Sequence, residues 1–63
     1  MRVKNVEDAN EELYFAREWD MIENEGPDTR YDWNSLSLWI RSDGSVEGDI
    51  PPSVKAIMKG LCI

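Results

Sequence analysis

The chain has 63 residues, with 13 acidic against 7 basic side chains, no histidine and a net charge of −6. That length restricts it to one small acidic domain, residues 1–63, which buries only roughly 60% of its unfolded surface and needs reinforcement. Cys62 is the only cysteine, which excludes an internal disulfide and, with histidine absent, the usual zinc sites, so association is the reinforcement left.

Met1 to Lys4 is read as a short edge strand. The first helix is expected from about Glu7 to Asn24, starting near Asn5 or Val6 and ended by Gly26-Pro27. Its apolar residues disagree about a face. Val6, Ala9, Leu13 and Ala16 share one side of the first half, whereas Phe15, Trp19 and Ile22 share another in the second. Such a helix either bends or is divided between the core and a partner. Pro27 to Asn34 reads as a polar loop.

A β-hairpin follows. Leu36, Leu38 and Ile40 alternate with polar positions, as do Val46, Gly48 and Ile50. A two-residue Asp43-Gly44 turn would set apolar faces against polar ones. A three-residue loop, Ser42-Asp43-Gly44 with Gly44 left-handed, pairs Ile40 with Val46, Leu38 with Gly48 and Leu36 with Ile50, and keeps both apolar sets on one side. That register is expected, with Trp39 on the polar face beside Arg41 and Glu47. The last helix runs from Pro51 or Pro52 to Lys59, with Ile50, Val54, Ile57 and Leu61 on one stripe and Gly60 as its cap. The expected fold class is α+β, a helix–hairpin–helix domain.

The charge is concentrated. Glu7, Asp8, Glu11, Glu12, Glu18, Asp20, Glu23, Glu25 and Asp28 face only one base, Arg17, so this run is net −8 and the rest of the chain +2. Such a field repels nucleic acid and membranes and attracts basic protein surfaces. On one long helix, Glu7, Glu11, Glu18 and Glu25 form a stripe with Tyr14 in its gap. A solubilising face normally interleaves lysine four residues on, whereas here Glu7/Glu11 and Asp8/Glu12 repel. Residues 7 to 25 would carry about one net charge per 4 Å of helix, against about 1.7 Å for duplex DNA, so one copy is an undercharged mimic of a duplex.

Catalytic chemistry is poorly supplied. The serines have no base partner, the paired carboxylates no evident cleft, and no phosphate-loop, calcium-loop, metal or cofactor motif is present. The basic residues are scattered, which disfavours direct nucleic-acid binding, although Trp39 with Arg41 has the composition that stacks a base. No apolar segment follows the basic start, and the last fourteen residues, broken by Lys55 and Lys59, are too short to span a bilayer. A cytoplasmic location is expected.

The sequence therefore points to a non-enzymatic interaction module that inhibits or modulates a basic protein, nucleic-acid-binding proteins included. Glu7, Glu11, Glu18, Asp20, Glu23 and Glu25 would steer the encounter, and Tyr14, Trp33 and Trp39 would anchor it. The alternative is a homodimer or accessory subunit whose acids only maintain solubility.

Overall fold

The computed structural model describes all 63 residues. Helix α1 spans Val6–Ala16 and is followed by four strands, β1 (Met21–Glu25), β2 (Asp28–Trp33), β3 (Leu36–Ile40) and β4 (Val46–Gly48). A 3₁₀ turn, Pro52–Val54, leads into helix α2, Lys55–Leu61. The strands form an antiparallel sheet in the order β1-β2-β3-β4. The α+β class holds, but the helix–hairpin–helix order is corrected: two further strands occupy the segment expected to complete the first helix and its loop. No helix is long and apolar enough to cross a membrane.

α1 begins as expected. Asn5 is its N-cap, with extended backbone and a side-chain oxygen that accepts from the Asp8 amide at 3.0 Å. It stops after Ala16 because Arg17 turns left-handed, with φ 55°. The indole N–H of Trp19 then donates to the Leu13 carbonyl at 2.6 Å, satisfying an acceptor that the helix end would otherwise orphan. The disagreement between apolar faces is resolved by this stop, since Trp19 and Ile22 are not helical at all. Gly26-Pro27 ends no helix; it is the two-residue turn of the β1–β2 hairpin, with φ +66° at Gly26 and Glu25 opposite Asp28. A positive φ at the first central residue is what such a turn asks of glycine.

Pro27 to Asn34, expected to be a loop, contains β2, in which Thr29, Tyr31 and Trp33 alternate with Asp28, Arg30 and Asp32. β-branched and aromatic residues at every second position suit a half-buried pleat. Asn34 and Ser35, both with positive φ, close the β2–β3 hairpin, and the Asn34 amide is held by the Asp20 carboxylate at 2.9 Å.

The β3–β4 register is the expected one over its observed length. Ile40 lies opposite Val46 and Leu38 opposite Gly48, with Trp39 facing Glu47. The Arg41 amide donates to the Ser45 carbonyl at 2.9 Å, leaving the loop Ser42-Asp43-Gly44 with φ +93° at Gly44. Within the loop the Asp43 carboxylate accepts from both the hydroxyl and the amide of Ser45, which lowers its pKa. The expected Leu36–Ile50 pair does not form. β4 ends at Gly48, where φ is +93° and a Cβ would lie 2.1 Å from the Ser37 carbonyl oxygen. Leu36 instead pairs only with Trp33 on β2.

The core lies on one face of the sheet. Tyr31, Leu38 and Ile40 meet Ala9 and Leu13 of α1, Val54 and Met58 from the second helical segment, and Val3. Each helical segment presents residues four apart, one turn of an α-helix. Gly60, expected as a cap, lies inside α2, which ends at Leu61 with Cys62 as its C-cap. The edge strand expected over Met1 to Lys4 is reduced to two isolated bridges, Arg2 with Ser45 and Val3 with Cys62. Tyr31 joins α1 to the sheet, its hydroxyl donating to Asn10 Oδ1 at 2.6 Å. Burial pushes the pKa of that phenol up to about 12.

Candidate functional site

Two surfaces carry the candidate residues. The first is the face of the sheet that no helix covers. Strand alternation places Glu23, Glu25, Asp28, Arg30, Asp32, Ser37, Trp39 and Glu47 there, opposite in direction to the core residues. Trp39 is its centre. The guanidinium of Arg41 lies 4.1 Å from the centroid of the Trp39 ring, and that of Arg30 lies 5.7 Å away. Each arginine is held by two carboxylates, Arg30 by Glu25 (2.6 Å) and Asp32 (3.0 Å), Arg41 by Asp28 (3.1 Å) and Glu47 (2.8 Å).

This packing explains why Trp39 is half-buried on a polar face. The carboxylates fix the guanidinium planes, and the planes cover the indole. The Arg41 pKa is raised, chiefly by its hydrogen bond to Glu47. A shallow hollow of about 510 Å³, lined by Arg30, Asp32, Ser35, Leu36, Ser37 and Trp39, opens on the same face.

The second surface is built by α1 and β1. Glu7, Asp8, Glu11 and Glu12 are exposed on α1, and all four ion pairs of the molecule belong to Arg30 and Arg41 on the sheet. The α1 carboxylates are therefore unpaired. Beside them stand Tyr14, 60% exposed, and Phe15, 64% exposed, their rings 5.4 Å apart in an edge-to-face arrangement. Between this end of α1 and β1 lies a hollow of about 280 Å³ lined by Tyr14, Arg17, Trp19 and Ile22.

The structure divides the residues expected to bind a partner. Glu7, Glu11 and Tyr14 share α1. Glu18 and Asp20 lie on the connection to β1, so the helical glutamate stripe from Glu7 through Glu18 to Glu25 does not exist. The left-handed Arg17 cuts it, redirecting the chain after Glu7, Glu11 and Tyr14. The mimicry argument shortens accordingly, to four carboxylates over about 16 Å of helix at about 1.5 Å per residue.

Asp20 and Glu25 already have structural partners, the Asn34 amide and Arg30. Glu23 lies opposite Arg30 but makes no ion pair, because the guanidinium turns to Glu25 and Asp32. Trp33 is half-buried, with its indole nitrogen 3.4 Å from the Asp49 carbonyl. Trp19 packs on Tyr31, ring centroids 5.0 Å apart, and serves the core.

Sequence reasoning missed Phe15 as an exposed aromatic and Arg30 as the second cover of Trp39. A signal existed for the first: Phe15 lies about 200° around the helix from Leu13, away from the Ala9–Leu13 stripe. None existed for Arg30 until β2 was placed next to β3. Comparison of the chain with protein-family models, with curated proteins and with solved structures finds no match.

Proposed function

We propose that this protein is a small acidic binding module that docks on a basic protein surface, nucleic-acid-binding proteins included, and modulates or blocks it. The observation that carries the reading is the contrast in pairing: the sheet's arginines hold Glu25, Asp28, Asp32 and Glu47, whereas Glu7, Asp8, Glu11 and Glu12 on α1 have no cation. Like charges four apart destabilise a helix by a few tenths of a kcal/mol per pair, a cost that a cationic partner removes. Tyr14 and Phe15 supply an exposed aromatic anchor at the C-terminal end of that field. Steering by the carboxylates would speed the encounter, and the aromatics would slow dissociation. The module is a binder rather than an enzyme and works in a reducing, cytoplasmic setting where Cys62 stays a thiol.

The test is capture of partners from cell extract on the immobilised protein, followed by affinity measurements at rising ionic strength. Partners of this surface bind at low salt, weaken steeply with salt, and are lost on the double reversal Glu7→Lys/Glu11→Lys. Partners retained equally by both proteins at high salt would overturn the reading. The competing reading, a homodimer whose acids keep it soluble, is favoured by the exposure of Tyr14, Phe15, Met21 and Ile22. It predicts a concentration-dependent dimer in light scattering, lost on Phe15→Ser.

A further inference from the structure

The two edges of the sheet are treated differently. At β4, the Val46 amide donates to the Met1 carbonyl at 3.1 Å and the Val3 amide to the Gly44 carbonyl at 2.8 Å, so Met1–Val3 cover that edge. This segment is tied in turn to the end of α2 and the residues after it, the Lys4 amide donating to the Leu61 carbonyl and the Ile63 amide to the Arg2 carbonyl, both at 2.9 Å. Nothing pairs with the outer edge of β1.

The orientation of the β1 edge groups follows from its turn. A two-residue hairpin closed at Glu25–Asp28 makes Glu25–Asp28, Glu23–Arg30 and Met21–Asp32 the hydrogen-bonded pairs. The amides and carbonyls of Ile22 and Asn24 therefore point outward, unpaired and available to another strand. Side chains alternate in the other direction: Glu23 and Glu25 stand on the uncovered face, while Ile22 stands beside Tyr14, Trp19 and Arg17 in the smaller hollow. One edge thus offers hydrogen bonds along its length, the unpaired carboxylate of Glu23 on one face and, on the other, a hollow whose apolar walls are Tyr14, Trp19 and Ile22.

We infer that β1 receives an extended segment of a basic partner as a fifth strand, with lysine or arginine opposite Glu23 and an aliphatic side chain beside Ile22 in the Tyr14–Trp19 hollow. The inference rests on the acidic-module reading and gives it a docking mode, main-chain pairing with alternate side chains read on the two faces. A second copy of this chain is disfavoured as occupant. Antiparallel self-pairing that uses all of β1 sets Glu23 against Glu23 of the second copy at a non-hydrogen-bonded position, where Cα atoms approach to about 4.5 Å. Like charges directly opposite destabilise such a pair.

The probe is a capped seven-residue peptide alternating lysine and valine, compared with a peptide of the same composition in two blocks, four lysines then three valines. The alternating peptide is expected to bind at least tenfold more tightly at low salt and to slow hydrogen exchange of the Ile22 and Asn24 amides. Asn24→Pro removes an outward N–H without touching the ladder to β2, and Glu23→Lys reverses the charge opposite the peptide; each is expected to weaken binding at least tenfold. Thermal melts confirm that each variant is folded, and Glu23→Lys keeps the test valid if proline does not fold. Equal binding of both peptides with unchanged amide exchange overturns strand addition. If that binding is nevertheless abolished by Glu7→Lys/Glu11→Lys, the acidic-module reading survives alone. Failure of wild type to bind either peptide at low salt removes both.

Discussion

The uncovered sheet face and the α1–β1 edge are both acidic and both carry aromatics, yet they handle charge in opposite ways. On the sheet, four carboxylates surround two arginines, and the arginines enclose Trp39. Along α1, four carboxylates face water and make no ion pair, and Tyr14 and Phe15 stand exposed. Net charge hides this difference. What matters is whether the tertiary structure brings a guanidinium within reach, and it does so only where the four strands lie side by side. The sheet face is consequently expected to carry stability and the helix face to carry binding.

Substitutions on the sheet should show the largest effects. Gly48→Ala forces a Cβ against the Ser37 carbonyl and a side chain into a positive-φ conformation. Overpacking and the left-handed penalty together cost about 3 kcal/mol or more. Against a total of roughly 3–9 kcal/mol for a domain of this length, urea titration should find most of its stability gone. Trp39→Ala removes the ring that both arginines cover. A loss of about 2 kcal/mol is expected from two cation–π contacts and the buried ring area, with peptide binding at β1 unchanged. If Trp39→Ala were instead neutral for stability and damaging for binding, the assignment of roles to the two surfaces would be reversed.

Tyr31 joins the two regions, and its ionisation offers a graded way to part them. Up to about pH 10 the phenol is neutral in both folded and unfolded chains. Above that, the unfolded phenol ionises while the buried one resists until about pH 12. Stability should therefore fall across this window at up to about 1.4 kcal/mol per pH unit. Denaturant titrations at stepped pH measure the slope. Tyr31→Phe should remove this component at the expense of about 1–2 kcal/mol at neutral pH, where Asn10 Oδ1 loses its donor. A slope unchanged by Tyr31→Phe would assign alkaline unfolding to other groups.

The smallest stability effect belongs to the helix. Glu11→Lys replaces the Glu7/Glu11 repulsion with an attractive pair in the favourable order. A gain of about 0.3–0.5 kcal/mol is expected, together with loss of salt-sensitive binding. A variant that became more stable and still bound would separate α1 from function.

The legibility of the fold varied with how local its causes were. The Asn5 cap, the start of α1 and the β3–β4 register depend on neighbours in sequence or on one turn, and the residues announce them. Ser42-Asp43-Gly44 could be placed because only that loop keeps Leu38, Ile40 and Val46 on one face. The β1–β2 hairpin was also marked locally, by Gly26-Pro27 and by the alternation of Thr29, Tyr31 and Trp33. A run of helix-compatible glutamates masked it, because glutamate favours helices and Gly-Pro serves both to end a helix and to turn a hairpin. Of the candidate site, the exposed carboxylates and Tyr14 were visible in the chain. Their division into paired and unpaired sets was not.

The sequence by itself determined a single small acidic α+β domain, the concentration of charge between Glu7 and Asp28, and the placement of Trp39 on the polar face of a hairpin. Those follow from composition, period and turn chemistry, which act over a few residues. Only the tertiary structure decided that the acidic run is cut at Arg17 into helix and strand, that Arg30 and Arg41 both lie against Trp39, and that one sheet edge is covered and the other open. Each of these depends on which strand lies beside which. That choice is made by burying Tyr31, Leu38 and Ile40 against Ala9, Leu13, Val54 and Met58, contacts between residues distant in the chain.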